Sequence, residues 1–111
     1  MFVVVYGWKV KPGKEDQFRE AWRRGTREIV RIYGGLGSRL HREADGRFIA
    51  TAEWPDRATW QRAFDAKMVY DDKEARAMFL DALEETPAGQ PPLLTMEVTD
   101  DLLARTGIGV A

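Results

Sequence analysis

The chain has one histidine and no cysteine, so few of its side chains can do chemistry near neutral pH. His41 is the only one whose unperturbed pKa lies near neutrality, which makes it the natural candidate for a general base. The plainer alternative is a hairpin histidine satisfied by a neighbouring polar group. Arg39, on the same expected strand, could hold an oxyanion or a carboxylate, or it could form an interface ion pair. Trp54 and Trp60 offer broad faces and indole N–H donors suited to a planar ligand. Core packing is the competing role for both, and the stronger one for Trp60, which stands at helical spacing from Phe64. Tyr70 falls in a loop between two short helices, where it would edge a cavity or simply cover it. Trp8, Trp22 and Tyr6 are assigned chiefly to core or dimer contact. The missing cysteines remove disulfides, thiolate nucleophiles, iron–sulfur clusters and Cys-zinc sites. A single histidine also excludes a His-rich metal site within one chain.

The elements that must position these residues follow from periodicity. Phe2 to Val10 is rich in Val and aromatics and reads as a strand closed by Lys11-Pro12-Gly13. Phe2, Val4, Tyr6, Trp8 and Val10 point one way and Val3 and Val5 the other, so both faces of this strand expect cover. From Lys14 to about Tyr33, Phe18, Trp22, Ile29, Ile32 and Tyr33 fall on one helical face with Gly25 near its middle. The opposite face carries Arg19, Arg23, Arg27 and Arg31, with Glu15, Glu20 and Glu28 interleaved at pairing distance. That arrangement is a solvated, salt-bridged surface rather than a nucleic-acid stripe, which needs uncompensated charge. Gly34-Gly35 ends the helix. Strands over Leu36 to Arg42 and Arg47 to Trp54 are joined at Asp45-Gly46, a strong hairpin signal. A two-residue loop there puts His41 opposite Ala50 and Arg39 opposite Ala52, so that His41, Arg39 and Trp54 share one face; a three-residue loop would break that grouping. Asp56 caps a short helix buried through Trp60, Ala63 and Phe64. A second, from about Asp72 to Glu85, opens on a capping-box-like Asp71 and Glu74 and buries Ala75, Met78, Phe79, Ala82 and Leu83. Thr86 to Pro92 is a proline-rich loop, Leu93 to Thr99 is a fourth strand, and Asp100 caps a last turn through Leu103.

With 111 residues, 44% of them apolar, the chain has enough material for one core and not two. A single domain is expected, its core at about residues 2–99 and a tail over 100–111. Segregated helices beside a mostly antiparallel four-stranded sheet make an α+β architecture in which helices cover one face. The other face stays more apolar than a monomer usually leaves in water, and a second copy packing sheet to sheet is the economical solution. A homodimer is therefore expected. The formal net charge of -1 gives no field to recommend nucleic acid or an anionic membrane as partner. No stretch approaches the roughly 18 apolar residues that would span a bilayer, and the first residues lack a basic region and a cleavage site. A soluble, cytoplasmic protein is expected, and the excess of Arg over Lys points to a GC-rich bacterial genome.

The order of elements, Phe18-Arg19-Glu20-Ala21-Trp22, the hairpin Gly37 to Arg42 with Asp45-Gly46, and Ala52-Glu53-Trp54 followed by Asp56-Arg57-Ala58-Thr59-Trp60 together resemble antibiotic biosynthesis monooxygenase domains over roughly residues 2–99. The resemblance implies a ferredoxin-like βαββ(αα)β fold paired into a dimeric α/β barrel. In the family's oxygenases it also implies oxidation of a polycyclic phenol or anthrone by O2 with no cofactor, neither flavin, haem nor metal. Trp54 matches the strand-end Trp that lines the family's cavity, Trp60 stands where such oxygenases have a Tyr, and His41 falls near a hairpin position where the family often has His. Two positions depart from the pattern. Ala50 stands where the oxygenases place an Asn, and the basic residue of the last helix aligns with Leu80, leaving Arg76 one turn away.

The reading that follows is a cofactor-independent monooxygenase acting on an anthrone- or quinol-like aromatic. His41, Trp54 and Arg39 are its catalytic candidates, and Trp60, Tyr70 and Arg76 its substrate-binding ones. On that reading His41→Ala abolishes turnover and leaves binding intact. The alternative, from a different class, is a non-catalytic or stress-related dimer that binds a small aromatic molecule or a partner. Haem degradation would need a helix-borne axial ligand, and the helices carry no His. Isomerase or decarboxylase work would use the same base and pocket.

Overall fold

Alternation along the first strand decides the layering of the molecule. In β1 (Phe2–Trp8) Phe2 and Val4 are fully buried while Val3 and Val5 are half-exposed, as a two-residue period requires when helices cover one face only. The computed structural model describes residues 1–85 and 91–104. After β1 come α1 (Glu15–Tyr33), β2 (Gly37–Arg42), β3 (Phe48–Trp54), α2 (Arg57–Asp65), α3 (Lys73–Ala82) and β4 (Leu94–Glu97). The four strands pair antiparallel in the spatial order β2-β3-β1-β4. With the helices on one face, this is the ferredoxin-like α+β arrangement expected from the sequence.

Helix α1 begins with Glu15 and Asp16 at the positive end of its dipole and stops at Gly34, whose φ of 79° and N–H bond to the Val30 carbonyl form a left-handed cap. It buries Phe18, Ala21 and Gly25. Ile32, assigned above to the same stripe, is exposed instead. The arginine face is compensated: Arg23 meets Glu20 at 2.8 Å, and Arg31 meets Glu28 at 2.9 Å and Asp71 at 3.0 Å. Asp56 caps α2 by accepting from the Thr59 N–H at 2.8 Å. The cap of α3 is Asp72, accepting from Ala75 N–H at 3.0 Å, and not Asp71. Asp72 is drawn there by Arg24, which grips it through two nitrogens and also reaches Glu74. These two contacts, first Arg24 and then the Ala75 amide, hold the Asp72 carboxyl below its ordinary range.

Helix α3 ends at Ala82, earlier than its apolar pattern implied. Leu83 turns extended and bridges Val10, and Lys11 N–H bonds the Ala82 carbonyl. The continuation of β1 thus captures the chain that would have been the last helical turn. β4 is shorter than expected, and residues 100–103 form no helix; Leu103 N–H instead bonds the Asp101 side chain. Residues 86–90 of the proline-rich loop and 105–111 of the tail lie outside the described residues.

The hairpin corrects a register. Glu43 and Arg47 close the loop through Glu43 N–H to the Arg47 carbonyl, and Gly46 at φ 89° takes the left-handed position. The loop is therefore Ala44-Asp45-Gly46, because Asp-Gly serves a type I turn with a following left-handed Gly as well as a two-residue turn. His41 consequently pairs with Ile49, Arg39 with Thr51 and Gly37 with Glu53. Every β2 side chain is thereby moved to the opposite face from that expected. Ser38, Leu40 and Arg42 join the helix-covered side, while Arg39 and His41 point away from it.

Two adjoining clusters fill the space between sheet and helices. Phe2, Val4, Trp54, Trp60 and Ala63 make one, and Phe18, Phe48, Ala82 and Leu83 the other. Cation–π contacts cover their ends, with Arg57 over the Phe2 ring at 4.8 Å and Arg42 over Phe48 at 5.1 Å.

Candidate functional site

The clusters do not close the layer completely. Between them lies a cavity of about 770 Å³, a size that takes a multi-ring organic molecule. Its floor is β3, where Ala50 and Ala52 present only methyl groups. Across the ladder Tyr6 pairs with Ala50, and its ring stacks on Trp8 with centroids 6.0 Å apart and planes 16° from parallel. Trp54 closes one end. Ile29 of α1, Phe79 and Leu80 of α3, and Phe64 and Met68 at the end of α2 complete the apolar lining.

Polar atoms in this lining are few. Trp54 is 2% exposed, its ring edge lies against Gly35, and its Nε1 is buried with no hydrogen-bond partner among the described residues. An unmet buried donor costs about 1–3 kcal/mol, and a ligand acceptor would recover that cost only where the Trp54 ring turns to bring Nε1 to the cavity surface. Trp60 does not line the cavity; it is buried behind Tyr6 and donates its Nε1–H to the Tyr6 hydroxyl oxygen at 3.2 Å. Burial pushes the Tyr6 pKa up, and the Trp60 bond opposes that rise. Tyr70 reaches into α1 at Gly25, where a Cβ would come within 2.8 Å of its hydroxyl oxygen. Burial raises the Tyr70 pKa as well, with the Arg76 guanidinium opposing the rise. Arg76 lines the same end of the cavity. Asp65, Lys67 and Glu53 are the other charged residues of the lining.

The loop that carries Tyr70 is tied down along its length. Tyr33 donates its hydroxyl to the Val69 carbonyl at 2.5 Å, Arg31 meets Asp71 and Arg24 meets Asp72. Lys67 and Met68 hold positive φ angles of 58° and 46°, uncommon for residues with a Cβ. Together they turn the chain off α2 so that Met68 and Tyr70 face inward.

Of the residues singled out from sequence, the structure brings Trp54, Tyr70 and Arg76 to one cavity and leaves three outside it. His41 and Arg39 are exposed on the far side of the sheet, and His41 Nδ1 lies 3.1 Å from the Ile49 carbonyl. They share no face with Trp54, so neither reaches the cavity of its own chain; the cause is the three-residue loop. Trp60 packs in the core behind the lining. Ala50 and Leu80, the two departures from the oxygenase pattern, do line the cavity. Sequence reasoning assigned Tyr6 to packing, although a hydroxyl-tipped ring alternating with Phe2, Val4 and Trp8 was a visible signal. Gly25, interrupting an apolar stripe, was a second signal of close approach.

A family model described as antibiotic biosynthesis monooxygenase matches residues 1–75 of the 111. Solved structures share the fold at low identity. The cofactor-independent oxygenase SnoaB from Streptomyces nogalater, as an asparagine-to-alanine variant, is 16% identical with a TM-score of 0.62, over 91% of this chain and 95% of that one. The monooxygenase from the ActVA-Orf6 gene of Streptomyces coelicolor, in complex with nanaomycin D, is 25% identical with a TM-score of 0.59, over 92% and 90%. Rv0793 from Mycobacterium tuberculosis is 14% identical with a TM-score of 0.60, over 92% and 98%. No curated protein matches the chain at a comparable level. On the family match, which spans most of the chain and includes the strand-end Trp54, this protein belongs to the antibiotic biosynthesis monooxygenase family.

Proposed function

We propose that the protein is a cofactor-independent monooxygenase that oxidises a planar anthrone- or quinol-like aromatic with O2. The observation that carries this reading is an apolar cavity of about 770 Å³ walled by Tyr6, Trp8, Trp54 and Phe79, a space and surface suited to a flat multi-ring aromatic. Trp54 Nε1 is a buried donor with no partner among the described residues, and a small turn of the ring that brings it to the cavity surface would let it stabilise negative charge on a carbonyl or phenol oxygen. For an anthrone the balance closes without an external reductant. The ring methylene loses its two hydrogens and gains one oxygen atom to become a carbonyl, while the second oxygen atom of O2 leaves as water. The four electrons come from that carbon. The reaction begins when a C–H proton leaves and the resulting carbanion is spread onto the ring carbonyl oxygen. Asp65, at the end of α2 on the helix side of the sheet, is the lining carboxylate that would take that proton. The crystallised neighbour that holds nanaomycin D supports a polycyclic aromatic ligand.

The test is oxygen uptake by metal-free protein with 1,8-dihydroxyanthrone, measured above the protein-free rate. Trp54→Phe is expected to lower kcat/KM by roughly tenfold, the loss of one hydrogen bond made in the transition state. Absence of uptake above background on any anthrone or quinol would overturn the enzyme reading. One observation favours a second reading, a ligand-binding protein without turnover: the lone histidine lies outside the cavity. That reading predicts tryptophan quenching by 1,8-dihydroxyanthraquinone with no oxygen consumed.

We also infer a homodimer. The sheet face away from the helices carries Val3, Val5, Ile49, Leu94 and Met96, with Leu94 56% and Met96 41% exposed. An apolar patch of this kind, here bordered by Thr51, Glu53, Arg39 and His41, is covered most economically by its own copy.

A further inference from the structure

The Tyr6 hydroxyl is placed as few core tyrosines are. Its oxygen receives the Trp60 Nε1–H at 3.2 Å, so the lone pair facing the core is occupied. Its own proton must then point elsewhere, and among the described residues no acceptor stands opposite it. Tyr6 belongs to the cavity lining while Trp60 does not. Tyr6 pairs with Ala50, and both belong to the cavity lining. The ring cannot easily swing away, since it stacks on Trp8 and packs against the cluster of Phe2, Val4, Trp54 and Trp60. Trp54, on the same helix-covered face of the neighbouring strand, supplies the other unengaged donor of that cluster.

We propose that Tyr6 is a further ligand-binding residue of this site, donating its O–H to an oxygen of the aromatic ligand, and that Trp60 is the positioning residue that aims it. The inference rests on the cavity reading above and sharpens its substrate class. The ligand must carry an oxygen acceptor on the edge that meets the wall formed by β1 and β3. A purely hydrocarbon ring system of the same size would leave the Tyr6 O–H unmet, so the site selects aromatics that carry an oxygen acceptor. The donation by Trp60 also polarises the Tyr6 O–H, which makes its proton a better donor.

The experiment compares two probes of equal ring count, 1,8-dihydroxyanthraquinone and anthracene, by quenching of tryptophan emission. Tyr6→Phe keeps the ring and removes the hydroxyl. It is expected to weaken dihydroxyanthraquinone binding about tenfold, the worth of one hydrogen bond, while leaving anthracene affinity within about twofold. Trp60→Phe is expected to weaken the same probe by a smaller factor and to raise the Tyr6 pKa, followed by NMR of ¹³Cζ-labelled tyrosine; a merely structural Trp60 would leave that titration unmoved. If Tyr6→Phe does not fold, the Tyr6 ¹³Cζ resonance of the wild-type protein decides, since it must shift on adding dihydroxyanthraquinone and stay put with anthracene. Unchanged dihydroxyanthraquinone affinity in Tyr6→Phe, or an unmoved wild-type resonance at saturation, overturns the Tyr6 inference alone. Failure of the wild-type protein to bind either probe overturns the cavity reading and this inference with it.

Discussion

Side chains of one chemical type divide here by where their polar atoms end up. Trp54 and Trp60 are both almost fully buried, at 2% and 5% exposure, yet one indole N–H is unmet among the described residues and the other is spent on Tyr6. The first is left unspent and the second holds another residue in place. His41 makes the same point in reverse. Its unperturbed chemistry is right for a base, but its strand turns it to the face away from the cavity, and proton transfer needs contact. We therefore expect His41→Ala to leave turnover of 1,8-dihydroxyanthrone within about twofold of the wild type in the oxygen-uptake assay. A loss of tenfold or more would mean that the histidine reaches the substrate by a route absent from a single chain.

At the scale of elements, the site depends on how α1 receives the loop between α2 and α3. Gly25 lies in the middle of a 19-residue helix, where glycine costs about 1 kcal/mol against alanine. The reason for that cost is visible in Tyr70, whose hydroxyl occupies the space a Cβ would need. Gly25→Ala gains helix propensity and drives Tyr70, and with it the neighbouring Arg76, out of position. The expected result is thermal stability within about 1 kcal/mol of the wild type, from the near-cancellation of the two effects, and clearly weaker binding of dihydroxyanthraquinone by quenching. Unchanged affinity would show that Tyr70 has no part in the site. The ion pairs of Arg24 and Arg31 with Asp72 and Asp71 then serve to hold the loop where this contact is made.

At the scale of the molecule, the two faces of the sheet have separate tasks. The helix-covered face holds the cavity, and the other face presents an apolar surface running from β3 across β1 to β4. Val5 lies at its centre, between Thr51 and Leu94. Val5→Glu places a charge there without touching the helix-covered side. It is expected to convert a wild-type dimer into a folded monomer by sedimentation velocity at micromolar concentration, because an unpaired charge is costly at a buried apolar interface. A wild-type protein that sediments as a single folded subunit would remove the dimer from the account.

The identity and order of the elements were legible in the residues, because apolar periodicity is a local property and every long segment carried it plainly. Phe2 to Trp8 alternates, Phe18 to Tyr33 repeats at helical spacing, and Asp56 and the glycines after Tyr33 mark ends by their own backbone chemistry. Which face a strand shows is not local in that sense. One extra loop residue at Ala44 reversed β2 and took His41 and Arg39 out of the site, a difference that Asp45-Gly46 permits in either form. The end of α3 was likewise settled by Val10, more than seventy residues earlier in the chain. The pairing of Tyr6 with Trp60 and the fit of Tyr70 against Gly25 join side chains about 45–54 positions apart. Such contacts exist only once the layers have packed, so pattern along the chain could name the aromatic residues but only tertiary structure could decide which of them hold open a cavity and which fill it.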